Sequence, residues 1–111
     1  MEATTKQLRR CDLVVAKGRI DTSTVKTLAE AFAAIKEAGR YKIVLNMKDV
    51  TYISSAGLSE LIDTQNTCKY LRRGELVLAE VPQRIMEVLE LAGLTALFKM
   101  FYTEIEAVGS F

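Results

Sequence analysis

Tyr52-Ile53-Ser54-Ser55-Ala56-Gly57-Leu58 is the stretch on which the reading of this chain turns. Upstream of it lies the apolar run Lys42 to Leu45, whose Ile43-Val44-Leu45 is β-rich and too short for a helix. Downstream, Leu58, Leu61, Ile62 and Gln65 recur at helical spacing, which predicts a helix from about Ser55 to Tyr70, broken at Arg73-Gly74. Hydroxyls and a glycine therefore sit where a buried strand hands over to a helix. The first N–H groups of a helix have no partner inside it, and the helix dipole favours negative charge there. A serine at that point can cap the helix, or it can carry a phosphate, because the same geometry accepts an anion. Gly57 in the first turn permits close packing or a tight entry.

Working outward, the amino-terminal side predicts a weak strand around Thr4 to Arg9 and a turn at Arg10-Cys11-Asp12. A stronger strand follows at Leu13-Val14-Val15-Ala16, ended by Gly18. Asp21 to Ser23 reads as a polar loop in which Thr22 or Ser23 caps the next helix. In that helix Val25, Leu28, Ala29, Phe32 and Ile35 make one apolar face, and Gly39 is placed as its left-handed terminator. Asn46 to Val50 reads as a turn. On the carboxyl side Leu76-Val77-Leu78-Ala79 is a short strand, and Pro82 suits the first turn of a helix with Ile85, Met86, Leu89 and Ala92 on its face. Gly93 stops that helix, Lys99 to Tyr102 is an edge-strand candidate, and Thr103 with Glu106 forms a capping box for a short last helix. Leu94, Leu97, Phe98, Met100 and Phe101 read as residues that close the core, with a partner-binding patch as the alternative. Strands alternating with helices imply an α/β fold. The expectation is a single small domain over residues 1–111, with a mostly parallel four- to five-stranded sheet flanked by about four helices. In open α/β sheets sites gather at the carboxyl ends of strands, which makes the Ser54-Ser55 turn and the Asp21 loop prospective neighbours.

Composition narrows the function. The chain has 111 residues, half of them hydrophobic, and a formal net charge of +1. It carries no electrostatic footprint for nucleic acid or an acidic membrane surface, and Arg9-Arg10 and Arg72-Arg73 are its only basic doublets, both read as solvated turns. No apolar run approaches the ~20 residues that span a bilayer, and the polar Met1-Glu2-Ala3-Thr4-Thr5-Lys6 is no signal peptide, so a cytoplasmic protein without a membrane partner is expected. With no histidine and two distant cysteines, Cys11 and Cys68, a zinc site is not expected; the cysteines read as free thiols, with one disulfide as the alternative.

The residues offer little catalytic chemistry. A nucleophilic serine needs a base, and neither Ser54 nor Ser55 opens a Ser-x-x-Lys or lies in a Gly-x-Ser-x-Gly pattern. The glycines are scattered, so no phosphate-cradling loop forms and no cofactor is expected. Glu87 and Glu90 fall at helical spacing, as on an exposed acidic face. The chain reads as a non-enzyme that is acted upon or binds a partner.

The order Lys42-Ile43-Val44-Leu45-Asn46, Tyr52 to Leu58, Leu76 to Ala79 and Val88-Leu89-Glu90-Leu91-Ala92-Gly93-Leu94 resembles the STAS family, named for sulfate transporters and anti-sigma factor antagonists. The resemblance extends from Gly18-Arg19-Ile20-Asp21 to Phe98. It implies, for a stand-alone bacterial member, an anti-sigma factor antagonist that binds an anti-sigma factor which is also a serine kinase. Phosphorylation of one serine at a helix start then ends binding, and a serine phosphatase restores it. The matching serine is Ser55, and the implied partner-binding surface comprises Asp21, Ser54, Ser55, Ala56, Gly57 and Leu58. Three positions depart from the family pattern: Ser54 and Asn46 stand where an acidic residue is frequent, and Ala56 where a serine or threonine is frequent. Two further readings stay open, a STAS interaction module that is never phosphorylated and a small-ligand or nucleotide-binding module using the same helix start.

Overall fold

The computed structural model describes residues 1–70 and 74–111; the Arg72-Arg73 doublet and the Arg73 side of the expected helix break lie outside the described residues. The elements run β1 (Glu2–Gln7), β2 (Asp12–Ile20), α1 (Val25–Glu37), β3 (Ile43–Ile53), α2 (Ser55–Tyr70), β4 (Leu76–Ala79), α3 (Gln83–Leu91), β5 (Met100–Phe101) and α4 (Glu104–Gly109). They form a five-stranded sheet in the order β1-β2-β3-β4-β5, with β1 antiparallel to β2 and every other pair parallel.

This order fixes the layers. Each right-handed crossover that steps one strand in the same direction must put its helix on the same side of the sheet. Accordingly α1, α2 and α3 share one face, over a core of Val14, Ala16, Ile20, Leu28, Phe32, Ile43, Leu45, Met47, Leu61, Leu76, Leu78, Ile85 and Leu89. On the opposite face α4 supplies Ala107, packed with Cys11, Leu13, Val44, Val77 and Ala79. Ile43 to Met47 and Leu76 to Ala79 are buried throughout, because the central strands are covered on both sides. Phe98 is buried and Leu94, Leu97 and Met100 pack on the main core, so this apolar group closes the core. Cys11 and Cys68 are free, buried and belong to clusters on opposite faces of the sheet.

The structure corrects several local expectations. Asn46 to Val50 is not a turn: β3 continues through it to Ile53. Two register shifts against β2 give β3 one extra residue each time, which re-phases the strand so that Met47, Val50 and Ile53 all reach the core. Between them Lys48, Asp49, Thr51 and Tyr52 are exposed, and it is their polar character that mimics a turn. Gly18 does not end β2; it lies at the second irregularity with φ +96°, and the strand runs on to Ile20. Neither Thr22 nor Ser23 caps α1: Thr24 is its N-cap residue. Pro82 stands one place earlier than expected, as the N-cap of α3. Gly39 does have the expected left-handed backbone, at φ +78°, and Gly93, which stops α3 as expected, has φ +73°.

Candidate functional site

The site forms where β2 and β3 end side by side. Ile20 pairs with Ile53, and the Ser54 N–H donates to the Ile20 carbonyl at 2.8 Å. Asp21 and Ser54, the residues that follow this pair, are therefore neighbours at the carboxyl ends of adjacent parallel strands. Ser54 alone links β3 to α2. Its carbonyl accepts from the Leu58 N–H at 2.9 Å and its Oγ accepts from the Gly57 N–H at 3.4 Å, which makes Ser54 the capping hydroxyl of the pair. Ser55 is the first residue of α2 and is exposed.

Gly57 explains how α2 comes so close. A Cβ there would lie 2.7 Å from Ile53 Cγ1 and 2.8 Å from Ile20 Cγ2, nearer than side chains approach. The glycine lets the first turn of α2 rest on the two isoleucines that end β2 and β3. Ala56 and Leu58 are half-buried, and Leu58 packs against the main core.

Asp21 is held by its own loop. Its Oδ1 accepts from the Ser23 hydroxyl at 2.7 Å, the Ser23 N–H at 3.0 Å and the Thr24 N–H and hydroxyl at 3.2 Å each. Thr24 Oγ1 in turn accepts from the Asp21 N–H at 2.9 Å, and its single proton is shared between Asp21 Oδ1 and the nearer Arg19 carbonyl at 2.7 Å. These bonds favour the ionised carboxylate and lower its pKa, the Ser23 hydroxyl most, against an opposing desolvation. The loop thus presents a fixed negative charge at the carboxyl end of β2, the strand that ends beside the Ser54 link to α2.

Two further residues belong to this surface and were not singled out from the sequence. The Arg19 guanidinium lies over the Tyr52 ring, 4.3 Å from its centre, and Arg19 Nε stands 3.6 Å from Asp21 Oδ2. Ile20 and Ile53 point to the helical core, so Arg19 and Tyr52, one residue earlier on each strand and directly paired, point to the opposite face. The signal for them was indirect: an aromatic and an arginine each placed just before a strand's last apolar residue.

Asn46 lies elsewhere. It is buried on the α4 side, where its Nδ2 donates to Glu104 Oε1 at 2.9 Å and Glu80 Oε2 at 3.2 Å while its Oδ1 accepts from the Lys48 N–H at 2.9 Å. An aspartate there would set a third carboxylate against two, so the amide at this position is explained by its neighbours. Two cavities, of about 160 and 380 Å³, are lined by Arg10, Cys11 and Gly39–Lys42 and by residues of α3, β5 and their flanks; neither is lined by Ser54–Leu58. Among the described residues no group of three or more His, Cys, Asp and Glu could hold a metal ion. Among the same residues no helix is long and apolar enough to cross a membrane.

A mostly parallel sheet with three helices on one face and a short fourth on the other, carrying a helix-initial serine and a hydrogen-bonded carboxylate at its strand ends, defines the class: a small α/β domain whose exposed site lies at its strand ends. The STAS domain profile matches residues 2–107, and the chain belongs to the STAS domain family. Among its relatives is BtrV of Bordetella bronchiseptica, which carries the name of an anti-sigma factor antagonist; it is 28% identical over 95 residues, 86% of this chain and 81% of BtrV. Among solved structures, TM1081 of Thermotoga maritima, which carries the same name, superposes with a TM-score of 0.89 at 19% identity, covering 97% of this chain and 92% of that one. The anti-sigma factor antagonist SpoIIAA in its unphosphorylated form gives 0.83 at 17% identity, over 98% and 95% of the two chains. The phosphorylated form of SpoIIAA, a Bacillus cell-fate determinant, gives 0.77 at 16% identity, over 98% of each. These structural likenesses establish the shared fold.

Proposed function

We propose that this chain, working as one domain over residues 1–111, is a cytoplasmic anti-sigma factor antagonist that binds an anti-sigma factor with serine kinase activity. The observation that carries the reading is the exposed Ser55 at the head of α2, next in sequence to Ser54, whose N–H is bonded to the carbonyl of Ile20 just before Asp21. Asp21, Ser54, Ser55, Ala56, Gly57 and Leu58 form the partner-binding surface, and Ser55 is the phosphoacceptor. The chain is a substrate and a binding protein, not a catalyst. The kinase moves the γ-phosphoryl group of ATP to Ser55 Oγ: a P–O bond forms at Oγ, the bond to the β-phosphate oxygen breaks, ADP leaves and the hydroxyl proton passes to the kinase. A serine phosphatase hydrolyses the ester and restores the hydroxyl.

The physical consequence is confined to the surface. A phosphate adds about −1.5 to −2 charges. The start of α2 accommodates that charge, since the helix dipole and the unpaired N–H groups favour it. A docked partner does not, because the phosphate adds to the negative charge that Asp21 already presents on the same strand-end surface. Leaving a charge unpaired at an interface costs several kcal/mol, and about 2.7 kcal/mol already corresponds to a hundredfold loss of affinity.

A second reading is favoured by one observation: Ser54, where the family frequently has an acidic residue, serves as a cap for Gly57 and offers a kinase no charge. On that reading the same surface binds a partner without modification. Incubation with ATP, magnesium and the cognate kinase, followed by intact mass and site mapping, separates the two. One added phosphate on Ser55, absent in Ser55→Ala, is expected; a stable complex with no phosphate transfer would replace the first reading by the second.

A further inference from the structure

We propose that the cavity at the amino ends of β2 and β3 is a binding site for a small tetrahedral dianion, a phosphate or a sulfate. It lies at the opposite end of these strands from Ser54 and Ser55, and it stands independently of any role for Ser55.

Two turns build the site. The β1–β2 turn closes through the Leu8 N–H on the Cys11 carbonyl, and the α1–β3 loop joins it through the Asp12 N–H on the Lys42 carbonyl, both at 2.9 Å. Arg40 clamps the turns together. Its Nε donates to Asp12 Oδ1 at 2.8 Å, and its Nη2 to the Leu8 carbonyl at 2.7 Å and the Cys11 carbonyl at 3.2 Å. Gly74 packs on the Tyr41 carbonyl with no room for a Cβ, which fixes the loop further. Residues of both turns, Arg10, Cys11, Gly39, Arg40, Tyr41 and Lys42, line a cavity of about 160 Å³.

The donors are those left over once the fold is satisfied. The clamp uses two of the three guanidinium nitrogens of Arg40, and Nη1 has no protein partner among the described residues. Arg10 and Lys42 are exposed, and neither pairs with a carboxylate among the described residues. The one carboxylate bonded to a lining residue is Asp12, so three lining cations against it leave a net charge of +2, which a dianion neutralises. Cys11 adds no negative charge, because burial, and after it the Asp12 carboxylate, push its thiol up. The end of the α1 dipole opposes an anion by at most about half a charge. Its last carbonyls are already taken by the Ala38, Gly39 and Arg40 N–H groups. A guanidinium held in place loses little freedom on binding, and its planar N–H groups match the oxygens of a tetrahedral anion. At about 30 Å³ for each water-sized group, the space suits about five heavy atoms, the size of phosphate or sulfate.

The test is an NMR titration of the full chain, 15N-labelled, with sodium sulfate replacing sodium chloride at constant ionic strength. The Arg40 Nε–H and the amides of Cys11 and Gly39 to Lys42 are expected to shift along one saturable curve, half-complete at about 1–10 mM. Arg10→Gln with Lys42→Gln should raise that midpoint at least ~5-fold with an unchanged thermal melt, and Lys42→Gln alone should raise it less. Phosphate should bind more tightly at about pH 8 than at about pH 6, as its second ionisation completes, whereas sulfate, a dianion throughout, should not change. The chain has no histidine to titrate across that range. Shifts that grow without saturating, that centre on other residues, or that the double variant leaves unaltered would mean an adventitious ion only and would overturn the proposal.

Discussion

At Gly57 two buried isoleucines set the closest approach of α2 to the sheet. Gly57→Ala gains about 1 kcal/mol of helix propensity. It also forces a methyl group into Ile53 and Ile20, and overpacking of this kind costs about 1–3 kcal/mol. The variant is expected to be about 1 kcal/mol less stable than the parent, read as a lower urea midpoint; an unchanged or higher midpoint would show that the isoleucines yield freely. Asp21 makes a pH-dependent contribution whose sign follows from its lowered folded-state pKa. The stabilisation is present above the unfolded value of about 4 and is lost as pH falls through the lower folded value. Urea midpoints of the parent and Asp21→Asn should therefore differ most near neutrality and converge on acidification; a constant difference would contradict the assignment. At this scale the sequence was partly legible. Ser55 could be picked out because a hydroxyl at a helix start has a local signature, whereas Asp21 was marked by a polar loop at a strand end and singled out by the resemblance to the STAS family. Arg19 and Tyr52 could not, because their pairing depends on cross-strand register.

Among the elements, α2 is tied to its neighbours by one buried side chain. Gln65 accepts from the Leu76 N–H at 2.7 Å and donates to the Leu76 carbonyl at 3.0 Å and the Leu97 carbonyl at 2.9 Å. It thereby joins α2 to the start of β4 and to the segment between α3 and β5. Periodicity placed Gln65 correctly on the inward side of α2, but nothing local in the sequence showed that it is held by three backbone bonds. Gln65→Leu keeps the volume and orphans those groups, at about 1–3 kcal/mol for each one left unsatisfied. A loss of at least ~2 kcal/mol is expected in urea unfolding, and a neutral result would refute the stitching role. The start of α2 and the bounds of β4 follow from sequence alone, because Ser54-Ser55 marks a helix entry and Leu76 to Ala79 is an unbroken apolar run. β3 does not, because its bulges interrupt the alternation by which a strand is recognised.

The molecule as a whole separates its duties by position. The helical face and the α4 face bury the apolar residues of the sheet, while the carboxyl ends of β2 and β3 carry Asp21, Ser54 and Ser55. A mostly parallel sheet was implicit in the alternation of elements; the monotonic strand order that puts three helices on one face was not, since alternation also fits doubly wound orders, and neither was the role of α4, a six-residue helix without extended periodicity. Because the Ser55 hydroxyl is outside the core, the account holds that modification changes what the surface can bind and leaves the fold in place. Calorimetric titration of the cognate anti-sigma factor with the parent, the Ser55-phosphorylated chain and Ser55→Glu, alongside thermal melts of each, tests this most directly. The account predicts a dissociation constant at least ~100-fold higher for the phosphorylated chain, a smaller rise for Ser55→Glu, and melting temperatures that stay together. Equal affinity of the phosphorylated and unmodified chains, or loss of binding accompanied by loss of the folded state, would contradict it.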